Sequence, residues 1–171
     1  MKKIYFAGKF NISSDESLPL EERLKGDFRA RLLGDPGRLS VYREGVMLAD
    51  EICYSGPFYC EAASNGEYTS TDCQTVISAE WKSVRDCDVY VAVFGEEFSV
   101  GTVVELGWAL AFEKEIFILY KNEESRYSIA SEYWFAIADA MRRGDRVSVF
   151  TYDDESQIEK IIDREILKSK I

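Results

Sequence analysis

The sequence predicts an α/β domain, a flavodoxin-like doubly wound sheet of about five mostly parallel strands with helices on both faces. Three observations carry that expectation. The 171 residues allow one domain of ordinary size, spanning 1–171, that buries roughly two-thirds of its unfolded surface. Short apolar runs alternate along the chain with stretches of helical period, the pattern of repeated βα units. One run, Val89-Tyr90-Val91-Ala92-Val93-Phe94, is apolar at every position, as expected of a parallel strand covered on both faces.

Taken in order, Ile4 to Ala7 is a short β-rich run closed by Gly8, and a helical pattern from Leu20 to Leu33 opens after Pro19 and stops at Gly34-Asp35-Pro36. The stretch from Arg38 to Ser70 is irregular, with one strand expected within Val46 to Tyr54 and turn signals at Gly56-Pro57 and Asn65-Gly66. Ser70 is placed to cap a helix reaching Cys87, whose apolar positions are Val76, Ile77, Ala79, Trp81 and Val84. After the strand from Val89 come a helix from Thr102 to Glu113, a strand from Ile116 to Tyr120, a helix from about Ile129 to Arg143, a strand from Val147 to Tyr152 and a last helix after Asp153. Open α/β sheets bind ligands at the carboxyl ends of their strands, so a site should draw on Gly8 to Asn11, Gly95 to Val100 and Lys121 to Ser128.

Composition removes several functions. With 21 Lys+Arg against 31 Asp+Glu the net charge is −10 and no concentrated basic patch appears, which disfavours nucleic acid as a partner. The absence of histidine excludes Ser-His and Cys-His dyads and imidazole metal ligation. Cys53, Cys60, Cys73 and Cys87 contain no Cys-x-x-Cys pair and read as small buried thiols. No apolar stretch reaches 18 residues, so neither a membrane span nor a secretory leader is expected, and the chain reads as cytoplasmic. No metal or cofactor is expected.

The informative segment is Ser99-Val100-Gly101-Thr102-Val103-Val104-Glu105-Leu106-Gly107-Trp108-Ala109, where Glu105 is the only charge between Phe98 and Glu113. An ionised carboxylate on a helix apolar nearly all round is costly unless it meets a cavity, water or donors. Glu105 is therefore expected to point into a pocket. The helix dipole stabilises an anion there by only about 0.3–1 kcal/mol, less than desolvation takes away, so hydrogen-bond donors are needed. Tyr5, alternating with Ile4 and Phe6, can supply a phenol from the neighbouring strand.

The pattern Tyr5-Phe6-Ala7-Gly8, the strand opening at Asp88 and the block Gly-Thr-x-x-Glu-x-Gly-x-Ala at Gly101 to Ala109 resemble the nucleoside 2-deoxyribosyltransferase family and its 5′-monophosphate N-hydrolase relatives. Gly56-Pro57-Phe58 adds to the resemblance. It implies that Glu105 attacks the anomeric carbon of a 2-deoxyribosyl group and releases the base, after which water or a second base takes the sugar. It also implies a carboxylate eight residues before Asp88, which is Glu80, in place of the more usual aspartate, with a positioning or proton-transfer role. Six residues before the nucleophile, the enzymes of free nucleosides usually carry an aspartate and the monophosphate N-hydrolases a serine; this chain has Ser99. A serine with the amides of Gly101 and Thr102 can donate to a phosphate, Lys9 can add a cation, and Ser99 is equally an ordinary helix cap.

The resemblance further implies a homodimer or higher homo-oligomer acting on a small nucleoside or nucleotide. The Tyr133-Trp134-Phe135 stretch reads most simply as a core-facing part of a helix, while the resemblance implies that this region, with Ser131 as a donor, can reach a partner's pocket. Gly8 is placed at the sugar or phosphate end, and Phe10, Phe58 and Phe98 are aromatics that either stack on a base or, at least as commonly for loop aromatics, cover the core. A non-catalytic nucleotide-binding module using the same rim is the rival reading. A phosphoryl-accepting receiver is set aside because Phe94-Gly95 stands where its aspartate belongs, and a glycohydrolase of a dinucleotide is a further alternative.

Overall fold

Lys2–Gly8 forms the first strand, β1, and its alternation sets the layers of the whole molecule. Ile4 and Phe6 enter one core, while Tyr5 and Ala7 enter the other. The computed structural model describes residues 1–40, 46–59, 73–95, 99–122, 139–140, 142 and 146–167, with the backbone alone at 40 and 73–75. Among them, β1 is joined in one sheet by β2 (Val46–Ala49), β3 (Ile52–Gly56), β4 (Val89–Phe94), β5 (Glu115–Lys121) and β6 (Val147–Tyr152). The order is β2-β3-β1-β4-β5-β6, with β2 antiparallel to β3 and every other pairing parallel.

The helices among the described residues are α1 (Leu20–Leu24), α2 (Phe28–Leu33), α3 (Cys73–Asp86), α4 (Val100–Ala111) and α5 (Ser156–Ile161), with a 3₁₀ turn at Pro36–Ser40 and a π-helical extension at Ile162–Leu167. One face of the sheet packs Ile4, Phe6, Val91 and Leu119 against Leu24, Phe28, Leu33, Ile158 and Ile162, from α1, α2 and the C-terminal helical segment. The other packs Tyr5, Tyr90, Ala92 and Ile118 against Val84 of α3 and Leu106 and Ala109 of α4. Full burial of such a side chain contributes about 1.5–3 kcal/mol, which is why β4 needs an apolar residue at all six positions, every one buried.

Three expectations are corrected. The single helix over 20–33 is two helices: the chain breaks at Gly26, and Asp27 restarts it by accepting the Arg29 amide at 2.9 Å as the N-cap of α2. The single strand within 46–54 is a tight antiparallel pair, β2 and β3, turning through Glu51 at φ 62°, so the sheet has six strands where about five were expected. The helix expected from Thr102 begins at Val100, because Ser99 caps it. Most of the helix expected over 129–143, and the Asn65-Gly66 turn, lie outside the described residues.

The helices that follow β1 cover one face and α4, which follows β4, covers the other. The order therefore reverses between β1 and β4, and a crevice is expected outside their carboxyl ends. The two strands come very close there. Gly8, at φ +151°, pairs with Val93, and a Cβ at Gly8 would sit 3.0 Å from the Val93 carbonyl oxygen. No described helix is long and apolar enough to cross a membrane.

Candidate active site

Glu105 lies on the inner side of α4, 6% exposed, and the Tyr5 Oη donates to its Oε1 at 2.7 Å. The helix turns this carboxylate inward because Thr102 and Ala109, three and four residues away, share its buried face. Tyr5 is held from three sides. It pairs in register with Tyr90, whose ring stacks on it at 5.8 Å, and the Tyr90 hydroxyl donates to the Thr102 carbonyl at 3.0 Å, tying β4 to the first turn of α4. On the other flank Gly56, at φ +140°, leaves no side chain; a Cβ there would come within 2.9 Å of Cε2 of the Tyr5 ring.

Burial and the nearby Glu80 carboxylate raise the pKa of Glu105 to about 8, against the lowering effects of the Tyr5 hydrogen bond and the Arg29 charge. The donor required on sequence grounds is in place, yet it does not outweigh desolvation. Burial likewise lifts Glu80, which is half-buried on α3, and Tyr5 is raised far above its ordinary value by burial and by the two carboxylates. The result is a closely coupled set of one phenol and two carboxyl groups that disfavours two simultaneous negative charges, the arrangement from which acid and base roles separate.

At the rim, Ser99 is half-buried and accepts from the Thr102 amide at 3.4 Å and from the Thr102 hydroxyl at 2.8 Å. Capping thereby occupies one of the two amides expected for an anion, leaving that of Gly101, an exposed glycine with open space around its Cα. A cavity of about 380 Å³ opens on the α2 and α5 side, within the usual range for a small-molecule pocket. It is lined by Lys9, Phe10 and Asn11 after β1, by Gly95 after β4, by Lys121 of β5 and by Tyr152 and Glu155 beside β6, among others. Lys9 and Phe10 thus lie together, while Tyr5, Glu80 and Glu105 gather across the sheet in the α3 and α4 layer. Of the two readings open for Phe58, the structure shows the core one: it is buried with its ring edge-on to Tyr54 at 5.2 Å. Ser131, Phe98 and the 133–135 region lie outside the described residues.

A fully buried ion pair, not singled out from the sequence, underlies this rim. Asp27 and Arg29 are both 0% exposed. Arg29 Nε donates to Asp27 Oδ1 at 2.8 Å and Nη2 to Oδ2 at 2.7 Å; Nη1 reaches the carbonyls of Phe6 at 3.2 Å and Gly8 at 3.1 Å, and Nη2 that of Lys9 at 3.1 Å. All five guanidinium N–H groups are matched. The only sequence signal was an aspartate cap two residues before an arginine, which reads more simply as a surface helix start.

The sequence model for nucleoside 2-deoxyribosyltransferase matches residues 42–160. The chain belongs to the nucleoside 2-deoxyribosyltransferase family. Among solved structures, the Clostridium botulinum CMP N-glycosidase BcmB is similar in fold, with a TM-score of 0.55 and 17% identity, covering 96% of this chain and 100% of that one. No curated protein matches the sequence. The matched region of this nucleoside 2-deoxyribosyltransferase family member contains Glu80, Ser99, Gly101 and Glu105, whereas Tyr5, Gly8 and the Asp27–Arg29 pair precede it.

Proposed function

We propose that the protein cleaves or transfers at the N-glycosidic bond of a 2′-deoxynucleoside, in particular its 5′-monophosphate, through a covalent glycosyl-enzyme on Glu105. The observation that carries this reading is the buried Tyr5–Glu105 hydrogen bond, 2.7 Å long, beside a second carboxylate, Glu80. A buried carboxylate with no chemistry to perform would be replaced at little cost by an apolar residue; one oriented by a phenol and coupled to a second acid is equipped to act as a nucleophile. Glu105, once its own proton has passed to solvent, attacks C1′ as a carboxylate while the C1′–N bond breaks. The bonding pair leaves with the base, which takes a proton from Glu80, and the sugar becomes an ester of Glu105. Water or a second base then attacks C1′, giving its proton to Glu80 and releasing the Glu105 carboxylate.

Tyr5 holds the attacking oxygens in place. Ser99, Gly101 and Lys9 stand at the rim as the groups for the phosphate end, which the serine at 99 and the similarity to a CMP N-glycosidase fold support. The same reading includes a homo-oligomer, supported by apolar residues left exposed on the two neighbouring helices, Ile77 and Trp81 on α3 and Val100 and Val104 on α4.

The test is incubation with each deoxynucleoside, each 5′-monophosphate and the corresponding ribonucleotides, with and without a second free base, followed by chromatography. Base release or exchange is expected from the wild type and from neither Glu105→Ala nor Glu105→Gln. Ligand binding without base release by the wild type would instead establish a non-catalytic nucleotide-binding module.

A further inference from the structure

Resting on that reading, we propose that Arg29, clamped by Asp27, is a positioning residue of the reaction. It fixes the segment 8–11, which follows the Tyr5 strand and walls the rim cavity, in the shape that receives substrate. Arg29 stands on α2, outside the Tyr5–Glu105 pair, and acts through backbone. Its guanidinium binds the carbonyls of Phe6, Gly8 and Lys9, so three of the four residues from Phe6 to Lys9 are tied to one planar group. Its flat face lies 3.8 Å from the centre of the Phe10 ring, and Asp27 Oδ2 accepts the Asn11 amide at 2.9 Å. Every residue from 8 to 11 is therefore held by the pair, and Lys9, Phe10, Asn11 and Phe28 all line the cavity.

Stability does not account for this arrangement. Two buried charges lose their hydration, and apolar residues of similar size usually pack as well or better. What the pair supplies and an apolar core does not is a fixed direction for each of the carbonyls after the strand. Orientation of this kind is costly to lose in a reaction where a displacement near 1 Å slows chemistry about 100-fold. Arg29 also acts on Glu105 from the opposite face of the sheet, its positive charge favouring the ionised carboxylate. The groups acting on Glu105 are the Tyr5 phenol of β1, the Glu80 carboxylate of α3 and the Arg29 guanidinium of α2; of these Arg29 alone is cationic.

The experiment compares the wild type with Arg29→Lys and with the double variant Asp27→Asn, Arg29→Met, measuring kcat, KM and the pH profile of base release, thermal unfolding, and amide hydrogen exchange over 8–11. The double variant leaves no unpaired buried charge, and Asn keeps the helix cap, so it is expected to fold even if Arg29→Met alone does not. Expected are a fall in kcat/KM of at least tenfold in the double variant, faster exchange confined to 8–11, and a pH–rate limb moved to higher pH because the Arg29 charge that favours the ionised Glu105 is gone. Arg29→Lys should return the limb toward the wild-type position without restoring kcat/KM, since an ammonium replaces the charge and not the fork. A folded double variant with wild-type kcat/KM and an unmoved limb overturns the proposal. A wild type that releases no base refutes the proposed function, and the positioning role of Arg29 in it; exchange over 8–11 then shows whether the clamp orders the segment at all.

Discussion

Glu105→Gln should abolish base release and at the same time stabilise the protein, by an amount that grows with pH. Glutamine keeps the size of the side chain and can still accept the Tyr5 hydrogen bond, but it carries no proton to lose. In the folded protein the pKa of Glu105 is raised to about 8 from an ordinary 4.5, chiefly by burial and then by Glu80. Between those two values the folded state binds more protons than the unfolded state, so stability is highest below about 4.5 and falls as the pH rises through about 8. At about 1.4 kcal/mol per pKa unit, ionising Glu105 in place costs at most roughly 5 kcal/mol above pH 8 and roughly 3 kcal/mol at pH 7. The glutamine variant escapes that cost. Urea unfolding at pH 5, 7 and 9 should show a difference near zero at pH 5 that widens to several kcal/mol at pH 9. In a domain of this size that corresponds to a melting temperature higher by about 10–20 °C at most. A constant offset at all three pH values, or one that widens toward acid, would refute the reasoning, because it would mean that Glu105 is not held protonated by its surroundings.

Tyr5→Phe removes the donor that opposes desolvation, so the pH–rate limb assigned to Glu105 should move up and base release should fall about 10- to 100-fold, as for loss of one hydrogen bond to a charged group; an unchanged profile argues against Tyr5 as the orienting group. Gly56→Ala should destabilise by about 1–3 kcal/mol in chemical denaturation and reduce base release in the folded fraction, because a Cβ meets the Tyr5 ring at 2.9 Å on a backbone with φ +140°. Full activity in that variant would show that the Tyr5 ring can shift without consequence.

Much of the architecture was legible in the sequence because burial leaves a periodic trace. The uniform apolar run at 89–94 gives a central strand, the βα alternation gives a parallel sheet, and a lone carboxylate in an apolar helix gives Glu105, since an unexplained charge at such a place is costly. The phenol of Tyr5 was within reach of the same reasoning, because strand parity places it on the helix-covered face. The breaks at 25–27 and 50–51 were not, since helical and strand periods run through them and the deciding elements are a cap and a turn. Proximity between distant segments leaves no periodic trace at all. That Gly56 makes room for the Tyr5 ring, that Glu80 and Arg29 act on Glu105 from different helices, and that Asp27 and Arg29 gather the carbonyls after β1 were decided only when tertiary packing brought residues 5, 27, 29, 56, 80 and 105 together. The sequence determined which groups would be expensive to bury; the fold alone chose the neighbours that make their burial tolerable, because those contacts depend on three-dimensional distance and not on separation along the chain.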